Sequence, residues 1–156
     1  MNRILPRIFR TVAALVACAV LSVSAIANPA AGADVRVEDG WIRSLPGDLP
    51  AGGYGTIVND TAAEVVLVDV SSPDYGRVQI HQSYTTPEGN ARMRQIKRLR
   101  IPAHGRVAFA PGGYHLMMMD ARKPMQPGDR VQVELRFAGG SVVQATLLVR
   151  PASYGG

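Results

Sequence analysis

Cysteine is almost absent from this chain. The only one is Cys18, inside an apolar N-terminal run, and none follows it. The rest of the chain can therefore form no internal disulfide, and it offers no thiolate as a nucleophile or metal ligand. This absence excludes a thioredoxin-like redox motif, a cysteine-based enzyme and a blue-copper centre, whose ligand set requires a cysteine.

Long hydrophobic runs are absent after the N-terminus. Residues 1–10 carry three arginines and no acid, and a run of small apolar residues then ends at Ala25-Ile26-Ala27. This is the pattern of a secretory signal peptide, so we predict export to the periplasm with cleavage after Ala27, or at a second small-residue site after Ala33. Cys18 ends a segment that resembles a lipoprotein cleavage box. Because it lies in the middle of the apolar run, we do not expect it to carry a lipid anchor.

An excess of charge of one sign is also missing once residues 1–27 are set aside as the signal peptide. Residues 28–156 contain 14 Lys and Arg against 12 Asp and Glu, which gives no support to nucleic-acid binding. Their length fits one domain. We predict a flexible lead over residues 28–33, a monomeric domain over 34–150 and a short frayed tail over 151–156.

A helical period is not found in this region, and β-strand signals fill it instead. Short runs rich in Val, Ile, Leu and Tyr alternate with clusters of Gly, Pro, Asn and Asp. This pattern predicts an all-β protein, either an antiparallel sandwich or a barrel. The clearest hairpin signal is the pair of alternating runs joined by Gly139-Gly140. Trp41 and Tyr54 are expected in the core, where aromatic side chains supply buried area.

The stretch PGGYHLMMMD places one histidine and three methionines within five positions. Side chains on a strand alternate between two faces, so His115, Met117 and Met119 share one face, and Leu116 and Met118 share the other. The second face is typical of a core. The first face combines imidazole with thioethers, which either pack in the interior or bind a soft ion such as Cu(I).

A second histidine and methionine favour the metal-binding interpretation. His81 and Met93 flank the turn TPEGN. If the turn centres on residues 87–89, the two side chains lie opposite or diagonal to each other across a hairpin. On one continuous strand, the even-numbered arginines that follow would share the opposite, solvated face: Arg92, Arg94, Arg98 and Arg100.

These residues resemble a known family. The spacing from His81 to Met93, then 21 intervening residues to His115, then Met117, resembles the H(M)x10Mx21HxM signature of the PCuAC family. The stretches GWIRSLP, SSPDYGRVQIHQ and IPAHGRVAFAPGGYHLMMM match as well, so the resemblance covers about residues 34–150. PCuAC proteins are periplasmic copper chaperones.

The resemblance implies a cupredoxin-like antiparallel β-sandwich with Greek-key connections. It implies a Cu(I) site made by His81, Met93, His115 and Met117. It also implies delivery of copper to the Cu(A) subunit of cytochrome c oxidase, with a thioredoxin-like copper chaperone as a second partner.

Two departures from the family pattern are visible. The family often has Met directly after the first histidine, where this chain has Gln82, and some relatives carry a tail rich in His and Met that PASYGG lacks. A second copper site is therefore not expected. Met119 is a further candidate ligand, since it shares the face of His115. His104, in PAHG, is expected in a turn and away from metal.

The donor chemistry agrees with this interpretation. Cu(I) accepts neutral imidazole and thioether ligands, and methionine cannot form disulfides in an oxidising compartment. Affinity should weaken as the pH falls through about 6.5, because both histidines must be neutral to bind. No catalytic grouping stands out, so an enzyme is not expected. Two alternatives remain open: a copper buffer or resistance protein without a dedicated acceptor, and a β-sandwich interaction module in which these four residues only pack.

Overall fold

A computed structural model describes residues 34–47 and 49–155. The predicted signal peptide, its cleavage sites and Cys18 lie outside these residues. The described part of the chain forms strands and turns, and it contains no helix long and apolar enough to cross a membrane.

Ten strands make up the fold. Their bounds are β1 Val35–Arg43, β2 Ala51–Asn59, β3 Val65–Ser71, β4 Tyr75–Thr85, β5 Ala91–Gln95, β6 Leu99–Ile101, β7 Gly105–Phe109, β8 Tyr114–Ala121, β9 Arg130–Phe137 and β10 Val142–Arg150. This confirms the all-β class. The run from Arg92 to Arg100 is not one continuous strand, so the condition under which its arginines would share one face is not met. It breaks between β5 and β6 because Ile96 turns toward the core and its N–H donates to the carbonyl of Ile80 at 2.8 Å.

The strands form a cupredoxin-like β-sandwich. Their order is β5-β4-β8-β7-β2-β1-β10-β9-β3-β6, and this ladder folds over so that two layers enclose one core. Neighbours such as β4 and β8, or β3 and β9, are far apart along the chain, as Greek-key connections require. All pairs are antiparallel except β1 with β10 and β7 with β8.

The core follows the alternation of the strands. On β9, for example, every second side chain is buried, and these side chains pack against those of β10 across the hairpin. Gly139 and Gly140 both have positive φ, at 95° and 89°, so they form the turn that the sequence predicts there. On β8, Leu116 and Met118 point into the core, as predicted.

A β-bulge in β1 changes which side chains face the core. Between Glu38 and Trp41 the strand carries one more residue than β2 opposite it, and Asp39 adopts a positive φ of 50°. The extra residue reverses the alternation, so that Val35 before it and Ile42 after it are both buried. Trp41 is therefore turned to the outer face, which corrects its predicted place in the core.

The outer face also holds Tyr54, which pairs with Trp41 across β1 and β2. Their ring centroids are 4.4 Å apart. In the C-terminal tail, the ring of Tyr154 packs edge-on against Trp41, with the ring centroids 4.8 Å apart. Trp41 and Tyr54, which the sequence predicts in the core, thus form a surface cluster with Tyr154.

Candidate metal centre

Three neighbouring strands bring the predicted ligands onto one face. His81 of β4 lies directly opposite His115 of β8. Met117 lies opposite Gln79, two positions from His81 along β4, and Met93 of β5 lies opposite Ser83, two positions the other way. Because side chains two residues apart share a face, all four predicted ligands project from the outer surface of β5, β4 and β8. The diagonal placement of His81 and Met93 across their hairpin is confirmed.

The two imidazoles are close and differently oriented. Their ring centroids are 5.9 Å apart. His115 is buried, and its Nδ1 lies 3.1 Å from the carbonyl oxygen of Gly113. When Nδ1–H donates to this carbonyl, Nε2 carries the lone pair and is free to bind a metal.

His81 is oriented by Gln79 on its own strand. Its Nε2 lies 3.2 Å from the side-chain oxygen of Gln79. When Nε2–H donates to this oxygen, Nδ1 carries the lone pair. This Nδ1 atom is buried and has no hydrogen-bond partner among the described residues. A buried nitrogen without a partner is unfavourable, and a metal ion would satisfy it.

The environment of His81 favours its neutral form. Burial lowers the pKa of His81 below its usual 6.5, and repulsion from His115 lowers it further. A neutral imidazole is the form that binds a metal. The lowered pKa therefore favours the form of His81 that could coordinate a metal.

The two methionines differ in how well they are placed. Met117 is half-buried beside the histidines, whereas Met93 is 49% exposed on the edge strand β5. The two methionines lie on either side of His81. They pair with Gln79 and Ser83, positions of β4 that are four residues or roughly 13 Å apart along the strand. In the register of the strands, Met117 thus neighbours both histidines, whereas Met93 neighbours His81 and is separated from His115 by β4.

Met119 lies on the same face but farther away. It is opposite Arg77, two positions beyond Met117. Gln82, at the position where the family often has Met, points to the other face and accepts hydrogen bonds from Arg94 at 2.8 and 3.1 Å. A thioether at position 82 would therefore not face His81.

Three features of the site were not predicted from the sequence. Gln79 and the Gly113 carbonyl orient the imidazoles, and each lies two residues before the histidine that it contacts. A spacing of two residues puts Gln79 on the same face as His81, so this contact could have been predicted from the sequence. Tyr54 borders the site. The centroid of its ring lies 6.5 Å from that of His115, and its hydroxyl lies over Gly52.

His104 lies elsewhere, as predicted. It occupies the turn between β6 and β7 with a positive φ of 49°, and its N–H donates to the carbonyl of Thr61. Within the described ranges, no three residues of the types His, Cys, Asp and Glu come together as a metal site. The donors that the outer face of β4 and β8 offers are imidazole nitrogens and thioether sulfurs.

Comparison with solved structures defines the class of the fold. The copper-bound PCuAC domain from PmoF2 superposes with a TM-score of 0.62 at 25% identity, over 76% of this chain and 93% of that domain. The solution structure of CuI-DR1885 from Deinococcus radiodurans gives a TM-score of 0.60 at 24% identity, over 78% of this chain and 83% of that protein. The fold is that of PCuAC domains.

Sequence comparison then gives the family. The LpqE-like family, described as "Putative lipoprotein LpqE-like", matches residues 35–149. "Putative lipoprotein Lxx21020" of Leifsonia xyli subsp. xyli is 31% identical over 141 residues, which are 89% of this chain and 84% of that protein. The chain belongs to the LpqE-like family.

Proposed function

We propose that this protein is a copper chaperone that carries one Cu(I) ion between His81, His115, Met117 and Met93. The observation that carries the proposal is the cross-strand pair of histidines. Each imidazole has one nitrogen next to an acceptor, and the remaining nitrogen of His81 is buried without a partner. Two oriented lone pairs beside a thioether form a donor set suited to Cu(I).

The relatives support copper as the cargo. The PmoF2 domain is described as copper-bound and DR1885 as carrying CuI, and both share the fold of this chain. Neutral ligands hold Cu(I) less tightly than thiolates would, which suits a carrier that releases its ion. Imidazole and thioether groups are ligands that hold a soft ion, so we propose a carrier and not an enzyme.

An anaerobic Cu(I) competition titration against a chromophoric chelator tests the site. We expect one tightly held Cu(I) per chain, and its loss in His115→Ala and in Met117→Ala while both variants stay folded. His104→Ala is the matched control, since this histidine lies in a distant turn, and it should keep full affinity. If the unmodified protein holds no Cu(I), the proposal fails and the four residues serve packing alone.

We further propose that the ion is delivered to the Cu(A) subunit of cytochrome c oxidase, with a thioredoxin-like copper chaperone as a second partner. Transfer is tested by mixing the Cu(I)-loaded protein with a soluble Cu(A) domain and following the Cu(A) absorption bands. Good copper binding without any metallation of the Cu(A) domain would favour the alternative role of a copper buffer.

We propose an exported location for the protein. The lipoprotein names of the family and of the Leifsonia relative support export, and they also make acylation at Cys18 worth testing. Mass spectrometry of the protein from the cell envelope distinguishes the outcomes. A mature N-terminus at residue 28 or 34 would agree with simple cleavage, and an acylated Cys18 would show a lipid anchor.

A further inference from the structure

A second cluster of side chains continues the outer face beyond the candidate metal centre. We define the aromatic–arginine patch as Trp41, Arg43, Tyr54, Arg150 and Tyr154. Its rings form a row, with Tyr54 against Trp41 at 4.4 Å and Trp41 against Tyr154 at 4.8 Å. At one end, Tyr54 lies 6.5 Å from the ring of His115. The patch is therefore continuous with the proposed copper site.

Two cations lie side by side within this patch. Arg43 and Arg150 are direct partners in the parallel pairing of β1 with β10. The guanidinium of Arg43 lies 5.4 Å from the ring centres of both Trp41 and Tyr54, and that of Arg150 lies 5.0 Å from Tyr154. Like charges at directly opposite positions repel each other, so this arrangement is unfavourable unless an anion joins them.

The arginines lack an anionic partner among residues 34–47 and 49–155. The salt bridges of that part of the chain involve other cations, and the Nε atoms of Arg43 and Arg150 are both buried without a hydrogen-bond acceptor. A guanidinium presents its N–H groups as a rigid fork that matches a carboxylate, which can accept two hydrogen bonds at once. Stacking on the rings holds both forks in place.

The composition of the patch indicates a protein partner. Trp, Tyr and Arg are the residue types that contribute most to binding energy at protein interfaces, and the patch groups five of them on one face. A copper carrier has to meet another protein at the face that holds the ion. A carboxylate on that protein would complement the paired charges and fix its orientation beside His115.

We propose that the aromatic–arginine patch is the docking surface for an acidic segment of the protein that exchanges copper with this chain. Carboxylates of that segment bind Arg43 and Arg150 while the ion passes at the neighbouring histidines. This inference rests on the proposed copper-carrying function, since it assigns a partner to the same face.

A peptide titration tests the surface without requiring the partner. The purified metal-free protein is titrated with a capped peptide of alternating glutamate and glycine, and separately with its glutamine twin. Trp41 is the only tryptophan of the chain, so its fluorescence reports on the patch directly. We expect the glutamate peptide to change this fluorescence and to shift the Nε–H resonances of Arg43 and Arg150, and the glutamine twin to do neither.

Paired variants test the role of the charges. Arg43→Gln with Arg150→Gln should weaken binding of the glutamate peptide by about tenfold or more, the scale of one lost charge-assisted hydrogen bond. The matched control, Arg98→Gln with Arg106→Gln, removes the same charge from exposed positions and should keep the affinity. If the double glutamine variant does not fold, Arg43→Lys with Arg150→Lys is used in its place. It keeps both charges but lacks the forked N–H groups of the guanidinium, so it should still bind the glutamate peptide more weakly than the unmodified protein does.

Three results would overturn the docking surface. These are equal binding of both peptides, unchanged affinity in the Arg43 and Arg150 variants, and complete displacement of the peptide by inorganic phosphate at matched concentration, which would indicate a small-anion site. A parallel Cu(I) titration keeps the two proposals separate. The patch variants should bind copper like the unmodified protein, whereas a failure of the unmodified protein to bind copper would count against the proposed function alone.

Discussion

His81 shows how a single side chain sets the pH range of the site. Burial, and secondarily His115 on β8, lower its pKa below 6.5, while the groups that face it from β5, Gln95 and Met93, are neutral. The unfolded chain therefore takes up a proton at His81 at a higher pH than the folded chain does. We therefore expect the free energy of unfolding to have its full value above pH 6.5 and to decrease as the pH falls below 6.5.

Urea unfolding of the metal-free protein between pH 7.5 and pH 5 measures this decline. His81→Gln should lack this part of the pH dependence, because glutamine does not titrate. Equal pH slopes in the two proteins would contradict the lowered pKa. The same property keeps His81 neutral, and so able to bind copper, at a pH slightly lower than the sequence alone indicates.

Asn59 is a buried polar residue whose side-chain hydrogen bonds stabilise the fold. It is 0% exposed, its amide nitrogen donates to the carbonyls of Ala63 and Pro102 at 2.8 and 2.9 Å, and its oxygen accepts from Thr61. Asn59→Ala would leave these groups unpaired, so we expect a loss of about 2–4 kcal/mol in the free energy of unfolding. Asn90→Ala, in an exposed turn, should change it by less than about 0.5 kcal/mol. Denaturant unfolding of the two variants makes the comparison.

At the scale of one strand, two adjacent residues of β8 have different expected roles: one binds copper and the other stabilises the core. Met118 is 0% exposed in the core, and Met117 is half-buried on the outer face. Met118→Ala should cost about 2–5 kcal/mol of stability and leave copper affinity unchanged while the protein is folded. Met117→Ala should cost less than about 1 kcal/mol and lose the copper. Chemical unfolding and Cu(I) titration of both variants decide the matter, and a large stability loss in Met117→Ala would support a packing role instead.

The β4–β5 hairpin leads to a further prediction, which concerns how much each methionine contributes to Cu(I) binding. Met93 is half-exposed and has to extend toward the histidines, whereas Met117 is already beside them. Met93→Ala should therefore weaken Cu(I) binding less than Met117→Ala does, and Met119→Ala should have little effect. Competition titrations of the three variants rank them. A greater loss in Met93→Ala would mean that the hairpin closes over the ion more completely than this arrangement shows.

The same elements explain what could be predicted from the sequence. Alternation along β8 and the turn of the β4–β5 hairpin place His115, Met117, His81 and Met93 on one face, because no bulge disturbs the pairing of these strands over the site. Trp41 could not be placed in this way. One extra residue at Asp39 reverses the alternation in β1, and nothing in the apolar pattern marks it. The bulge turns Trp41 outward and so creates the aromatic–arginine patch.

At the scale of the whole molecule, the proposed ligands lie on three strands of one layer, so binding should stabilise the folded state. A ligand that binds only the folded protein raises its free energy of unfolding by about 2.7 kcal/mol when its free concentration is 100 times Kd. We expect this rise for the unmodified protein in a Cu(I) buffer, and the same rise for His104→Ala. His115→Ala should show none.

Urea unfolding at fixed free Cu(I) measures the effect, since the midpoint should move while the slope against urea stays constant. Equal stabilisation of His115→Ala would show that the ion binds elsewhere on the chain. A fall in stability with Cu(I) would show that methionines and histidines of the unfolded chain bind copper better than the folded site does. Only a rise that depends on His115 agrees with a site built by the pairing of β4 with β8.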